Sequence, residues 1–149
     1  KVSNNINSFK SIFIAMGGSD SSNLNPKILK VLEKFSSIKV NLVTTTANQN
    51  LKELEQYVKN KKWIRLHINS SNMAKLMRKS DLSIITPSVT ANEMYFMGTP
   101  FISIKTVKNQ KYMYEYLKKR KFLVLDKFKD EKLQEYIELL LIKEKNNVK

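Results

Sequence analysis

Short apolar runs alternate with amphipathic helical patterns along this chain of 149 residues, and that alternation constrains its fold most strongly. The apolar runs have the length of strands and are almost continuous, as expected for strands buried on both faces of a parallel sheet. We predict strands at residues 12–16, 40–43, 64–68, 82–85, 101–104 and 122–125. With right-handed crossovers, this pattern predicts an α/β, Rossmann-like doubly wound parallel sheet of about six strands.

Helices are expected between these strands and after the last one. The first is expected to follow Asn25, which we predict as its cap, with Pro26 in its first turn. The pattern predicts further helices at about residues 50–61, 73–78, 90–97, 110–120 and 130–143.

Polar clusters follow five of the predicted strands, at residues 17–20, 44–46, 67–70, 86–93 and 105–110. In doubly wound sheets the ligand binds at the carboxyl ends of the strands, near the point where the strand order reverses. The carboxyl ends of parallel strands lie at one edge of the sheet. These clusters therefore predict one binding crevice.

The segment 86–93 leaves an apolar strand through proline and hydroxyl residues and enters a short predicted helix. The start of a helix offers unpaired backbone N–H groups and a positive dipole end to an anion, which makes Ser88, Val89 and Thr90 candidate phosphate ligands. Glu93, one turn later, can accept hydrogen bonds from a vicinal diol such as ribose. Phosphate and diol capture together suggest a nucleotide. The alternative is ordinary helix capping with an acid in the first turn.

Gly17, Gly18, Ser19 and Asp20 place two of the chain's three glycines at the end of the first strand. Glycine permits positive φ and close backbone approach to a ligand, and Ser19 and Asp20 add a hydroxyl and a carboxylate. The chain lacks both a complete G-x-G-x-x-G and a Walker motif, so neither a dinucleotide fingerprint nor a P-loop is predicted. A plain tight turn remains the alternative.

His67 is the single histidine and follows the third apolar run. No neighbouring nucleophile or carboxylate pair completes a catalytic constellation, so we expect it to line the crevice rather than to do chemistry. Asn109 and Gln110 follow the fifth strand. They either bind sugar hydroxyls or cap the next helix.

The formal charge of +14 raises nucleic-acid binding as an alternative function. Only three of the basic residues are arginines and the lysines are spread along the chain, which favours a solvated surface instead. The absence of cysteine and the single histidine argue against disulfides and a zinc site. No apolar run has the length of a membrane span, and we expect a cytoplasmic location.

Several of these segments resemble the C-terminal half of GT-B-fold nucleotide-sugar enzymes. A general relative is the lipid-II GlcNAc transferase of peptidoglycan synthesis. The chain is more similar, over nearly its whole length, to the hydrolases of pseudaminic acid biosynthesis that act on UDP-2,4-diacetamido-2,4,6-trideoxy-β-L-altropyranose. The segments that carry the resemblance are residues 15–20, 72–77, 80–82, 84–93, 98–100 and 109–110.

The resemblance implies that residues 11–149 bind UDP without a metal or cofactor and that residues 1–10 are a linker from another domain. The backbone near Ile68 would read the uracil, Ser88 to Thr90 would hold the diphosphate, and Glu93 would bind the ribose. The glycine loop would border phosphates and sugar, and Asn109 with Gln110 would face the sugar.

The hydrolase family attacks the anomeric carbon with water, inverts its configuration and releases UDP. Its histidine base lies in an N-terminal domain that would be this chain's partner in cis, so His67 does not inherit that role. The chain alone is then expected to bind UDP or a UDP-sugar but to turn over little of it. The donor half of a UDP-GlcNAc glycosyltransferase is the alternative within the same superfamily. No membrane or nucleic-acid partner is expected.

Overall fold

The computed structural model describes residues 10–86, 100–106, 111–119 and 123–147. Within them lie six strands, β1 Lys10–Ala15, β2 Ile38–Thr44, β3 Ile64–Ile68, β4 Leu82–Ile85, β5 Phe101–Ile104 and β6 Leu123–Leu125. The helices of the same ranges are α1 Asn25–Leu32, α2 Leu51–Val58, α3 Met73–Arg78, α4 Lys111–Lys119 and α5 Asp130–Asn147.

The described strands form one parallel sheet in the order β3-β2-β1-β4-β5-β6. At its centre, Ile14 of β1 pairs with Leu42 of β2 on one side and with Ile84 of β4 on the other. The strand order reverses between β1 and β4, which is where a doubly wound sheet opens a crevice for ligands. The predicted α/β fold is confirmed.

Helices cover both faces of the sheet. Ile12 and Ile14 of β1 belong to the core that includes Leu29 of α1, Leu54 of α2 and Leu133 of α5. Alternate residues of a strand point to opposite faces. Accordingly, Phe13 and Ala15 of β1 join the second core, with Met77 of α3 and Leu117 of α4. The chain is therefore a three-layer α/β/α domain.

The strand predictions hold closely. Strands β3, β4 and β5 have the predicted bounds, whereas β1 and β2 begin two residues earlier than expected. Lys10 pairs with Ile38 and donates its backbone N–H to the carbonyl of Ser37 at 2.9 Å. Lys10, placed in the linker by the sequence, is thus the first residue of β1. The predicted helix 90–97 lies outside the described residues.

The prediction that Asn25 caps α1 is wrong. Asn25 is the first residue of the helix, and the preceding residue makes no side-chain cap. The capping carboxylate instead belongs to Asp20, which accepts the backbone N–H groups of Leu24 and Asn25, both at 2.9 Å. An acid reaching forward across four residues satisfies donors that the helix itself leaves unpaired.

Candidate functional site

The loops that follow β1, β2, β3 and β4 lie at one edge of the sheet, which we call the carboxyl rim (residues 17–20, 44–46, 67–69 and 86). The carbonyl oxygen of Gly18 joins the first two loops. It accepts the backbone N–H of Thr45 at 3.1 Å, the Thr45 hydroxyl at 2.8 Å and the Thr44 hydroxyl at 3.2 Å. The glycine loop is therefore anchored to the end of β2.

Asn69 joins the second and third loops. Its backbone N–H donates to the carbonyl of Thr44 at 2.9 Å, and its Oδ1 accepts the backbone N–H of Thr46 at 3.2 Å. Asn69 adopts a φ of +55°, a left-handed conformation that asparagine tolerates better than most residues. Three consecutive rim loops are thus connected by hydrogen bonds.

The two glycines of the rim differ in what surrounds them. Gly17 has a φ of +82°, and no atom lies within 4 Å of the position that a Cβ would occupy. A Cβ at Gly18 would lie 3.0 Å from both Cγ2 and Oγ1 of Thr45. Gly18 is therefore required for packing between loops, whereas Gly17 leaves open space, as expected where a ligand approaches the backbone. Ser19, beside them, is exposed.

Asp20 lies in the predicted loop but its carboxylate turns inward. It is 2% exposed, and both of its oxygens accept backbone N–H groups at the start of α1. Burial raises the pKa of Asp20, while the N–H donors of Asn25 and Leu24 act in the opposite direction. Its role in this structure is to shape the loop.

Asn25 carries a feature that the sequence analysis missed. Its side chain is fully buried at the start of α1, and neither Oδ1 nor Nδ2 has a hydrogen-bond partner. An unpartnered buried amide carries a desolvation cost. Its position next to the capping carboxylate could not be seen from the sequence, since asparagine at a helix start is ordinarily a cap.

His67 is held against the neighbouring strand. Its Nε2 lies 2.9 Å from Oδ1 of Asn41, so that nitrogen donates and carries the proton. Burial lowers the pKa of His67, and the positive charge of Arg65 lowers it further. The ring is therefore neutral near pH 7, and its Nε2–H is already used in the hydrogen bond to Asn41. Asn41, its partner, was not among the predicted site residues.

Ile68 ends β3 with 37% of its surface exposed, which is unusual for a large apolar residue. Its backbone is paired with Thr44 at the rim. Thr86, which follows β4, is buried at 5% exposure. Ile68 therefore presents an apolar side chain to solvent at the rim, whereas Thr86 does not reach solvent.

Six predicted site residues lie outside the described residues: Ser88, Val89, Thr90, Glu93, Asn109 and Gln110. In the part of the chain that is described, no three histidine, cysteine or acidic side chains group together as metal ligands. In the same part, no helix has the length and apolar character to cross a bilayer.

Residues 11–149 match the glycosyltransferase family 28 C-terminal domain. The chain is 38% identical over 116 residues to the UDP-2,4-diacetamido-2,4,6-trideoxy-β-L-altropyranose hydrolase of Campylobacter jejuni subsp. jejuni serotype O:2, covering 78% of this chain and 42% of that protein. It is 39% identical over 116 residues to the uncharacterized protein MJ1062 of Methanocaldococcus jannaschii, covering 74% of this chain and 24% of that protein. The chain thus spans less than half of either relative.

A solved structure with the same architecture is that of the spinosyn rhamnosyltransferase SpnG complexed with thymidine diphosphate. It superposes with a TM-score of 0.70 at 14% identity, covering 91% of this chain and 38% of the transferase. At that identity the likeness concerns the fold. The family match from residue 11 to residue 149, on a doubly wound sheet with a linked carboxyl rim, shows that this chain belongs to the glycosyltransferase family 28 C-terminal domains.

Proposed function

We propose that this chain is the UDP-binding part of a UDP-sugar hydrolase, acting on UDP-2,4-diacetamido-2,4,6-trideoxy-β-L-altropyranose in pseudaminic acid biosynthesis. The observation that carries the proposal is the 38% identity to a hydrolase of that name over 78% of this chain. Membership of a glycosyltransferase family supports a nucleotide-sugar ligand in general.

The geometry of the carboxyl rim supports the same proposal. Three loops are linked by hydrogen bonds, so a ligand would meet a preorganised surface. The open space at Gly17 would accept phosphate or sugar close to the backbone. In this proposal the exposed Ile68 and its backbone contact the uracil, on the opposite side of the glycine loop from β4.

The remaining contacts are proposed for the segments after β4 and β5. Ser88, Val89 and Thr90 would hold the diphosphate through backbone N–H groups, and Glu93 would accept the ribose hydroxyls. Asn109 and Gln110 would face the sugar. Donors that hold the departing diphosphate stabilise the charge that develops as the bond to the anomeric carbon breaks.

The attack on the anomeric carbon would need a base to activate water. Because Nε2 of His67 already donates to Asn41, we assign no such role to it. In this proposal the base is a histidine of a domain outside this chain, the reaction inverts the anomeric configuration, and no metal takes part. This chain would then bind UDP and contribute little turnover by itself.

Calorimetric titration of the chain with UDP tests the proposal. We expect a single site of micromolar to millimolar affinity, and Glu93→Ala should weaken it by roughly 10- to 100-fold, as expected for the loss of a charge-assisted hydrogen bond. Glu55→Ala, at an exposed position of α2, is the matched control and should leave the affinity unchanged. Absence of UDP binding, or equal effects of both variants, would contradict the proposal.

The second candidate is the donor half of a UDP-GlcNAc glycosyltransferase, which the family name itself favours. The two differ in what attacks the anomeric carbon. In a protein of the relatives' length, UDP release that needs no acceptor would support hydrolysis. Release that requires an acceptor hydroxyl would support transfer.

A further inference from the structure

A cavity of about 660 Å³ lies between α1 and the start of α5, away from the carboxyl rim. We call it the lysine groove, and its lining consists of Lys27, Lys30, Val31, Lys34, Phe128, Lys129, Asp130, Glu131 and Lys132. None of these residues belongs to the rim. The sequence suggested lysines spread along the chain, yet the fold gathers five of them around one concave surface.

Positive charge predominates in the groove, with five ammonium groups against two carboxylates. Nζ of Lys132 lies 3.3 Å from Oε2 of Glu135. Nζ of Lys34 donates to Oε1 of Gln134, a neutral amide oxygen, at 3.0 Å. Among the described residues, Lys27, Lys30 and Lys129 form no ion pair, but Lys27 is close enough to Asp20 for its charge to oppose the rise in the pKa of that carboxyl. In the described part of the chain, Lys30 and Lys129 are therefore the groove's cations without a carboxylate partner.

Lys27 and Lys30 lie three residues apart on one face of α1, and Lys34 lies in the turn that follows the end of the helix at Leu32. With a rise of about 1.5 Å per residue, Lys27 and Lys30 are roughly 4.5 Å apart along the helix axis. Like charges three or four residues apart on a helix repel each other. An anion bound between them would relieve this repulsion.

The opposite wall is formed by the start of α5. Lys129 precedes the first residue of that helix, Asp130, and Lys132 follows within its first turn. Below them, Val31 is buried and Phe128 is half-buried against the core. The groove thus has an apolar floor and a cationic border. Its volume lies in the range of pockets that hold small molecules, about 300–1,000 Å³.

The lining favours an anion that carries several negative charges. Lysine binds phosphate oxygens as a point charge, without the bidentate geometry that arginine imposes on carboxylate and phosphate alike. Five lysines and no arginine line the groove, so a polyphosphate, which offers several charged oxygens to separate ammonium groups, matches it better than a single carboxylate. We propose that the lysine groove binds a compact anion carrying several phosphate groups, at a site separate from the one for UDP.

Titration of the chain with inorganic tripolyphosphate at low salt, followed by calorimetry, tests this proposal. We expect saturable binding of one anion per chain that persists when UDP is in excess. Lys27→Gln combined with Lys30→Gln and Lys129→Gln should weaken it about tenfold or more, since each exposed charge contributes only a modest part. The matched control combines Lys52→Gln, Lys75→Gln and Lys119→Gln, at exposed positions on α2, α3 and α4, and should bind as the parent does.

Two further probes separate sources of phosphate. Vesicles rich in phosphatidylglycerol present headgroups on a flat surface, and single-stranded RNA presents an extended phosphate chain. Binding of tripolyphosphate that is lost only in the groove variant supports the proposal. No saturable binding, equal loss in both triple variants, or binding of vesicles or RNA without binding of tripolyphosphate would overturn it.

Discussion

The carbonyl oxygen of Gly18 accepts the Thr45 hydroxyl at 2.8 Å, and the same threonine lies 3.0 Å from where a Gly18 side chain would begin. Thr45 thus holds the glycine loop by a hydrogen bond and also leaves no room for a larger side chain at position 18. The end of β1 is held to the end of β2 by this close fit.

Gly18→Ala should destabilise the chain by about 1–3 kcal/mol, because the added methyl group overpacks against Thr45. Chemical denaturation measures the change. In the double variant with Thr45→Ala, the clashing atoms are gone, so the combined cost should be less than the sum of the single costs. Additive costs would contradict the proposed contact.

Gly17→Ala serves as the comparison at the neighbouring position. It meets no atom within 4 Å, but its φ of +82° is unfavourable for alanine and should cost about 1–2 kcal/mol. Since that cost is conformational, Thr45→Ala should not reduce it.

Asp20→Asn should destabilise α1 by about 1–2 kcal/mol at pH 7, because an amide can accept only one of the two N–H donors. The pH dependence has a defined sign. Burial raises the pKa of Asp20 above its ordinary 3.8. The contribution of Asp20 to the free energy of unfolding is therefore greatest below pH 3.8 and declines as pH rises through its folded-state pKa.

Denaturant unfolding of the parent and of Asp20→Asn between pH 3.5 and 7 measures this difference. We expect the difference in the free energy of unfolding between the parent and Asp20→Asn to become smaller as pH increases. A gap that widens instead would mean that the two N–H donors outweigh burial and lower the pKa of Asp20.

Asn25→Leu should stabilise the chain by roughly 1 kcal/mol, since a buried amide without partners is replaced by an apolar side chain of similar size. Asn48→Leu is the matched control. Asn48 is also buried, but its Nδ2 donates to Thr44 and its Oδ1 accepts the N–H of Asn50. Thermal unfolding should show the control destabilised, and destabilisation of both variants would contradict the prediction.

His67 should titrate below the ordinary histidine pKa of 6.5, because burial and the charge of Arg65 disfavour its protonated form. The unfolded chain then binds the proton more tightly, so this residue lowers stability as pH falls below 6.5. The chain has one histidine, so its ring resonance can be followed by NMR without further assignment. Arg65→Gln should raise the pKa, whereas Arg78→Gln on α3 should leave it unchanged.

The sequence alone was sufficient for the layout of the sheet. Strands β3, β4 and β5 were predicted residue for residue. β4 and β5 are buried along their whole length and almost continuously apolar, whereas the edge strand β3 alternates apolar with polar residues, and both patterns are typical of strands. The order of these strands along the chain also placed the rim loops at one edge. The family resemblance rested on residues in those same loops.

Only the tertiary structure decided which side chains meet. Asp20 rather than Asn25 caps α1, and Asn41 rather than a ligand holds His67, because each choice depends on a partner that folding brings near. The lysine groove joins residues about one hundred positions apart, so composition showed its charge but not its location. Hydrophobic periodicity acts locally and can be read along the chain, whereas polar pairing and charge clustering depend on distances that exist only after the helices pack.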